Sequence, residues 1–289
     1  MEKGIPITGH TQLIGLIATP IRHSMSPAMH NAAFDQLGLD YVYTVFEVGK
    51  DELEAAVKGL KALGVRGWNV SMPNKSAIIP YLDEISEASR LCDSVNTVIN
   101  DDGHLTGTVT DGIGWVRAMH TQGVDIRGKK MVLLGAGGAA TAIMVQGAID
   151  GLREIDVFNR DDEFFKRGMR QTRLVNEETG CHVTMHHLED HQMLHQKIMD
   201  ADILVNATSA GMKPQDDICL VQDEDLHDGL TVFDAVYNPQ ETLLLKKAKA
   251  ANCKVIGGIH MMLYQGAESF KLWTHQEMPI EEVKKALNL

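Results

Sequence analysis

Residues 131–143 read Met-Val-Leu-Leu-Gly-Ala-Gly-Gly-Ala-Ala-Thr-Ala-Ile. An apolar run breaks into glycines and resumes in small helix-forming residues, which leaves few folds open. A strand has to end near Leu134, the chain has to turn sharply, and a helix has to begin within a few residues. Gly135 permits the turn, Gly137 lets a backbone approach a pyrophosphate, and Ala140 leaves room for the helix against a sheet. The helix start offers unpaired N–H groups and a positive dipole end to phosphates. The run therefore predicts a dinucleotide site; a glycine turn without a ligand is the plainer alternative.

The surroundings agree. Strand-like runs recur at 129–134, 154–158, 203–206, 231–235 and 254–256, with helical segments between most of them, as repeated βα units require. Earlier in the chain, 13–18, 41–48 and 67–70 read as strands, and 27–37 and 51–63 as helices with Asp51 as a cap. Residues 95–100 and 105–109 read as a hairpin turned by Asp101-Asp102-Gly103. This is an α/β chain, and 289 residues suit two domains. We divide it into an N-terminal α/β substrate domain of residues 1–112 and 258–289, discontinuous because the apolar helix 261–273 returns to it, and a Rossmann-type domain of 113–257. The site is expected in a cleft between them.

The strand that ends near Asn159 reports on the cofactor. Asn159-Arg160-Asp161-Asp162 follows it. Arg160 could stack on adenine or meet a 2′-phosphate, but Asp161 and Asp162 would repel that phosphate by about 1–4 kcal/mol. NADP and NAD are both expected cofactors, with Asp161 pointing to tolerance of NAD.

A formal charge of −12 disfavours nucleic acid and anionic membrane. No apolar run approaches a membrane span, and the N-terminus lacks a signal-peptide pattern. A cytoplasmic protein acting on a small molecule is expected, as monomer or homodimer. Cys92, Cys181, Cys219 and Cys253 are scattered and read as thiols, not as a disulfide framework or metal site. His187, His191 and His195 recur four apart. They read as a solvated helix face, with a metal face as the alternative, and no metal is predicted.

In the first domain, Ser24 and Ser26 precede a helix start, with Ser26 as N-cap and Pro27 as first helical residue. Their hydroxyls can face one carboxylate, or Ser26 can simply cap. In Trp68-Asn-Val-Ser-Met-Pro-Asn-Lys a strand ends and Pro73 is expected to open a helix, which sets Lys75 near its first turn. A cation there is disfavoured, so Lys75 has a reason to release its proton and serve as acid/base; a solvated surface lysine is the alternative. Asn96 offers a two-way amide. Asp111 opens the next helix, as a cap or as the partner of Lys75. Asp234 reads as a strand-end structural residue.

Taken in order, Ser-Met-Ser-Pro, Asn-Val-Ser-Met-Pro-Asn-Lys, Val-Asn-Thr, Thr-Asp-Gly, Gly-Ala-Gly-Gly-Ala-Ala, Asn-Arg, Asn-Ala-Thr-Ser-Ala-Gly-Met, Asp-Ala-Val-Tyr-Asn-Pro and Gln-Gly-Ala-Glu-Ser-Phe resemble the motifs of the shikimate dehydrogenase family. The resemblance runs from about Leu13 to Trp273. The Asn-Arg-Asp-Asp-Glu-Phe-Phe stretch and the Trp-Thr ending look more like the quinate/shikimate branch. By that resemblance Lys75 and Asp111 are catalytic, and Ser24, Ser26, Ser71, Asn96, Tyr237 and Gln265 bind substrate. Gly135, Ala136, Gly137, Gly138 and Ala139 cradle the pyrophosphate. Asn159, Arg160 and Asp161 face the adenosine end, and Thr208, Gly258 and Met261 complete the cofactor site.

The implied activity is reversible NAD(P)H-dependent reduction of 3-dehydroshikimate to shikimate, in aromatic amino acid (chorismate) biosynthesis. A quinate-preferring, NAD-linked dehydrogenase and a non-catalytic ligand-sensing regulator are the alternatives. The retained Lys75, Asp111 and glycine turn argue against the regulator. Three positions depart from the family pattern: Ser71 for the common Thr, Val109 for the common Asn, and His260 for a glycine near the nicotinamide.

Overall fold

The apolar runs of the N-terminal third become strands, and their burial shows why. In the computed structural model, which describes residues 6–22 and 24–289, β1 (Gln12–Ala18) is buried without interruption from residue 14 onward. Such a strand belongs inside a parallel arrangement. β2 (Tyr41–Glu47), β3 (Gly67–Val70), β4 (Glu84–Ile85), β5 (Thr97–Asp101) and β6 (His104–Thr108) complete a six-stranded sheet in the order β2-β1-β3-β5-β6-β4. β1 pairs in parallel with β2 and β3, and β5 runs antiparallel to both β3 and β6. The hairpin turns through Asp102 and Gly103, both at positive φ (51° and 91°), the geometry that a two-residue hairpin favours.

Helix α1 (Ser26–Leu37) ends at Gly38, whose φ of 66° provides the left-handed stop. Its start differs from the expectation: Met25 holds the N-cap position, no side chain caps the helix, and Ser26 is the first helical residue. Helix α2 (Leu53–Ala62) buries Leu53, Val57 and Leu60 along one stripe. Its N-cap position is Glu52, so Asp51 does not cap it. α3 (Glu87–Cys92) is capped by the Ser86 hydroxyl.

No α-helix starts at Pro73. Residues 72–78 form consecutive turns leading into a short 3-10 helix, Ile79–Tyr81. The Asn74 amide bonds Val48 O at 2.8 Å and the Asn74 N–H bonds Ser71 O at 2.9 Å, so the local backbone is committed to turns. The helix-dipole argument for a readily deprotonated Lys75 is withdrawn with that helix.

α4 (Asp111–Thr121) opens a second compact unit, residues Asp111–Tyr264. The first unit comprises the described residues up to Thr110 together with Gln265–Leu289. In the second unit β7 (Lys130–Leu134), α5 (Gly138–Ile149), β8 (Glu154–Asn159), α6 (Glu163–Glu178), β9 (His182–His187), α7 (His191–Met199), β10 (Ile203–Asn206), β11 (Thr231–Asp234), α8 (Leu243–Ala250) and β12 (Lys254–Gly257) alternate. Every strand pair is parallel, in the order β12-β11-β10-β7-β8-β9. Counted from β7, this is the 3-2-1-4-5-6 order of doubly wound sheets. β9 was not anticipated. His187 ends that strand while His191 and His195 lie on α7, so the three histidines do not share a helix face.

Helix α9 (Ile259–Thr274) contributes 259–264 to the second unit and 265–274 to the first, and α10 (Ile280–Leu287) follows in the first. Within the first unit Trp273 is buried, and its indole N–H donates to Val98 O at 2.9 Å. His30 stacks on Tyr43 with ring centroids 4.5 Å apart, and Phe34 on Phe270 at 5.2 Å. Burying each Phe-sized side chain contributes roughly 1.5–3 kcal/mol.

Candidate active site

In the first unit, strand polarity decides where chemistry can gather. β1 and β3 end at the same edge of the sheet. β5, being antiparallel to β3, begins there, and β6 ends there. Ser71, Asn96 and Thr110 flank those ends. In open α/β sheets ligands bind outside the carboxyl ends of the strands, in the crevice where neighbouring connections diverge.

Asn96 is 3% exposed. Its Oδ1 accepts from the Thr110 N–H at 2.9 Å and from the Thr97 hydroxyl at 2.9 Å, and its Nδ2 donates to Thr110 Oγ1 at 3.1 Å. Next to it the Asn69 amide bonds Asn96 O, Thr97 Oγ1 and Ser269 Oγ, each at 3.1 Å. The Tyr43 hydroxyl donates to Asn69 Oδ1 at 2.7 Å. Burial pushes the Tyr43 phenol above its ordinary value, and a hydrogen bond with the Ser26 side chain pulls it down. A polar chain thus runs from Ser26 through Tyr43, Asn69 and Asn96 to Thr110. Of these only Ser26 and Asn96 were anticipated. Tyr43, Asn69, Thr97, Thr110 and Ser269 were missed, although a polar residue inside an apolar strand, such as Asn69 in Gly-Trp-Asn-Val, signals a buried network. Ser24 lies at the start of the same chain, its Oγ accepting from the Ser26 N–H at 3.2 Å.

Lys75 is held through its backbone. Its carbonyl accepts from the Val95 N–H at 2.8 Å. On either side, Asn74 bonds Val48 O and Ser76 Oγ bonds Asp93 O at 2.7 Å. Asp111 follows Thr110 directly, so consecutive Cα atoms put it about 3.8 Å from a residue bonded to Asn96. Gln265 opens the first-unit part of α9, and its carbonyl lies 3.2 Å from the Ser269 hydroxyl.

The second unit holds the residues expected at the cofactor. Gly135 has φ 107°, closed to residues with a side chain, and its N–H donates to Phe158 O at 2.8 Å. Asn159 Oδ1 accepts from the Ala136 N–H at 3.1 Å, tying the end of β8 to the glycine turn. Gly137 is the N-cap of α5. No side chain caps that helix, and its first turn carries no acid. A Cβ on Gly137 or Gly138 would meet nothing within 4 Å. Open space over unclaimed helix N–H groups suits a pyrophosphate, so the residues fit a dinucleotide. Thr208, after β10, bonds Asn206 Oδ1 at 2.7 Å and reaches toward the Gly135 turn: a Cβ there would lie 3.0 Å from Thr208 Cγ2. These two loops follow β7 and β10, the point at which strand order reverses.

After β8, where the adenosine end is expected, Asp162 is the N-cap of α6. Its Oδ1 accepts from Phe164 N, Phe165 N and Asn159 Nδ2 at 2.9–3.1 Å, and its Oδ2 lies 3.9 Å from the Arg160 guanidinium. Arg160 and Asp161 are exposed. Gly258 has a structural reason, since a Cβ there would sit 2.2 Å from Ala235 O. Met261 is buried. Tyr237 belongs to the second unit, unlike the other anticipated substrate residues apart from Asp111, and is 46% exposed. Asp234 ends β11 fully buried and accepts from Thr242 Oγ1, Asn206 Nδ2 and the Val236 N–H at 2.6–3.0 Å. Burial raises its carboxyl above the ordinary range, and its role is to fasten strand ends. His195 bonds the buried Asp225 at 2.8 Å. All four cysteines are free thiols.

A doubly wound sheet with an open glycine turn, joined to a second α/β unit with a polar edge, defines a two-unit protein of the dinucleotide-binding class. Sequence models of the shikimate dehydrogenase substrate binding domain and the shikimate 5′-dehydrogenase C-terminal domain match residues 16–98 and 258–287. The shikimate dehydrogenase (NADP(+)) of Listeria monocytogenes serotype 4b (strain F2365) is 52% identical over 282 residues, 97% of each chain. The quinate/shikimate dehydrogenase of Escherichia coli (strain SMS-3-5 / SECEC) is 51% identical, covering 97% of this chain and 98% of that one. The crystal structure of Listeria monocytogenes shikimate 5-dehydrogenase in complex with shikimate and NAD superposes with a TM-score of 0.96 at 52% identity, over 97% of this chain and 98% of that one. The chain belongs to the shikimate dehydrogenase family.

Proposed function

We propose that this protein is a shikimate dehydrogenase that interconverts 3-dehydroshikimate and shikimate with NADP or NAD, as a cytoplasmic enzyme acting alone or as a homodimer. The observation that carries the reading is the clamped Lys75 turn, bonded to Val95 beside an Asn96 whose amide is fixed by Thr110, the residue before Asp111. We read the first unit as the substrate-binding part and the second as the dinucleotide-binding part. Ser24, Ser26 and Ser71 then meet the substrate carboxylate, and Asn96, Asp111 and Gln265 its ring hydroxyls, with Tyr237 nearby.

The dinucleotide, when bound, supplies or accepts the hydride. Gly135 to Ala139 hold its pyrophosphate with backbone N–H groups, and Asn159, Arg160, Asp161, Thr208, Gly258 and Met261 frame the rest. As the ketone carbon is reduced, negative charge grows on its oxygen. The Lys75 ammonium donates a proton there, and in the reverse direction the neutral amine removes it. Asp111 orients the Lys75 side chain toward that oxygen.

The mixed Arg160-Asp161-Asp162 string supports use of both cofactors. The acids weaken a 2′-phosphate contact while Arg160 preserves it. Steady-state turnover of shikimate and of quinate, each with NADP+ and with NAD+, tests the whole reading. Shikimate turnover with both cofactors is expected, with a kcat/KM ratio of NADP+ over NAD+ below about 100, or roughly 2.7 kcal/mol. A higher ratio removes the dual-cofactor reading. Quinate outrunning shikimate moves the enzyme to the quinate-preferring reading, and shikimate binding without turnover makes it a ligand sensor.

A further inference from the structure

Ser269 lies on α9 with no exposure to solvent. Three polar side chains from other parts of the first unit, and one carbonyl from its own helix, converge on its hydroxyl. Thr97 Oγ1 stands 2.8 Å away, Asn69 Nδ2 3.1 Å, Thr110 Oγ1 3.3 Å, and the carbonyl of Gln265 3.2 Å. In this dry setting each hydrogen has to be assigned to one acceptor, and the assignment has consequences.

The Thr110 N–H can only donate, so the Asn96 amide has to turn its oxygen toward it. The second lone pair of that oxygen takes the Thr97 hydrogen. Two hydroxyl oxygens at 2.8 Å need a proton between them. With the Thr97 hydrogen given to Asn96, that proton comes from Ser269, whose hydrogen takes this 2.8 Å contact in preference to the 3.2 Å contact with the Gln265 carbonyl. The Asn96 Nδ2 then donates to Thr110 Oγ1, and the Thr110 hydroxyl, whose other acceptor is the already filled Asn96 Oδ1 at 3.2 Å, passes its hydrogen to Ser269 at 3.3 Å. The result is a ring, Asn96 to Thr110 to Ser269 to Thr97 and back, in which every hydroxyl gives one hydrogen and takes another. The Asn96 oxygen is saturated inside the ring. One Nδ2 hydrogen is left to offer outward.

We propose that Ser269 is a positioning residue for substrate recognition: by fixing the rotors of Thr97 and Thr110 it locks the Asn96 amide so that Asn96 meets the substrate only as a donor. The substrate oxygen at Asn96 must therefore accept a hydrogen bond. This rests on reading Asn96 as a substrate contact, as the proposed function does. Without the Ser269 oxygen, the hydroxyls on both sides of the amide lose the partner that orients them. The amide then presents its N–H with less order, and the loss falls on substrate affinity.

A double-mutant cycle on the full-length enzyme tests this. Ser269→Ala is expected to raise KM for shikimate about tenfold, the scale of one hydrogen bond, with KM for the dinucleotide unchanged within about twofold. In an Asn96→Ala background the same change should add less than about twofold, because the group through which Ser269 acts is gone. Thr97→Val should reproduce the shikimate effect, and Thr97→Ser, which keeps the hydroxyl, should restore the wild-type KM. These two serve equally if Ser269→Ala fails to fold. Additive losses in the cycle, an equal rise in both KM values, or a wild-type KM in Thr97→Val would overturn the proposal. Wild-type turnover of shikimate is measured first in the same assay, so a failure of the proposed function shows itself before any variant is compared.

Discussion

The carbonyl of Lys75 and the amide of Val95 share a 2.8 Å hydrogen bond, and this bond joins the Lys75 turn to the start of β5. Val95 precedes Asn96, which is bonded to Thr110, which precedes Asp111. Two hydrogen bonds and two peptide links therefore connect the backbones of the lysine and the aspartate. The flanking bonds from Asn74 to Val48 O and from Ser76 to Asp93 O leave little freedom to the turn itself. Backbone bonds on both sides hold the lysine's main chain in place, which suits the proton donor proposed above.

Asp162 joins the α6 cap to the proposed cofactor end. Asp162→Ala removes the α6 cap, at a cost of about 1 kcal/mol by chemical denaturation, and lifts a negative charge from beside Arg160. The kcat/KM ratio of NADP+ over NAD+ should rise roughly tenfold, for about 1.4 kcal/mol of relieved repulsion. A ratio that stays level would show that the carboxylate does not touch cofactor choice.

His30 is fully buried, with no hydrogen-bond partner on either ring nitrogen. Burial lowers its pKa from 6.5 to about 3. Between those values the unfolded chain binds a proton that the folded one does not, so stability is lost as pH falls below 6.5. The slope from this group is on the order of 1.4 kcal/mol per pH unit. Denaturation midpoints taken from pH 7.5 to pH 5 should fall more steeply for wild type than for His30→Gln. Parallel curves would show that His30 does not set the acid limit.

Gly258→Ala pushes a methyl group to within 2.2 Å of the Ala235 carbonyl. Backbone must move at both places, and overpacking of this kind costs about 1–3 kcal/mol. The urea midpoint should drop accordingly, and KM for the dinucleotide should rise because β11 and the start of α9 both shift. An unchanged midpoint would mean the contact relaxes freely.

How far the sequence could be read depended on whether a signal was local. The turn at Gly135 and the hairpin at Asp102-Gly103 are decided by a few consecutive residues, and both appear where expected. Strand β9 was passed over because His-Val-Thr-Met-His-His looks polar. Its alternation of Val183 and Met185 with polar neighbours was the available sign. Pro73 resembles a helix start, yet the side chain of Asn74 finds Val48 O, twenty-six residues earlier, and the chain folds into turns instead. The ring around Ser269 was illegible for the same reason. Asn96, Thr97 and Thr110 are near in sequence, but Ser269 arrives from 159 residues beyond Thr110, and only the packed sheet and helix bring it there.

The most direct test of the account is single-turnover reduction of 3-dehydroshikimate by Lys75→Ala, with dinucleotide binding measured on the same protein. If Lys75 donates the proton, the rate of the chemical step falls by about 10²–10⁴-fold while the dinucleotide Kd stays at its wild-type value. A chemical step within a few-fold of wild type would contradict the account and move the proton donor elsewhere.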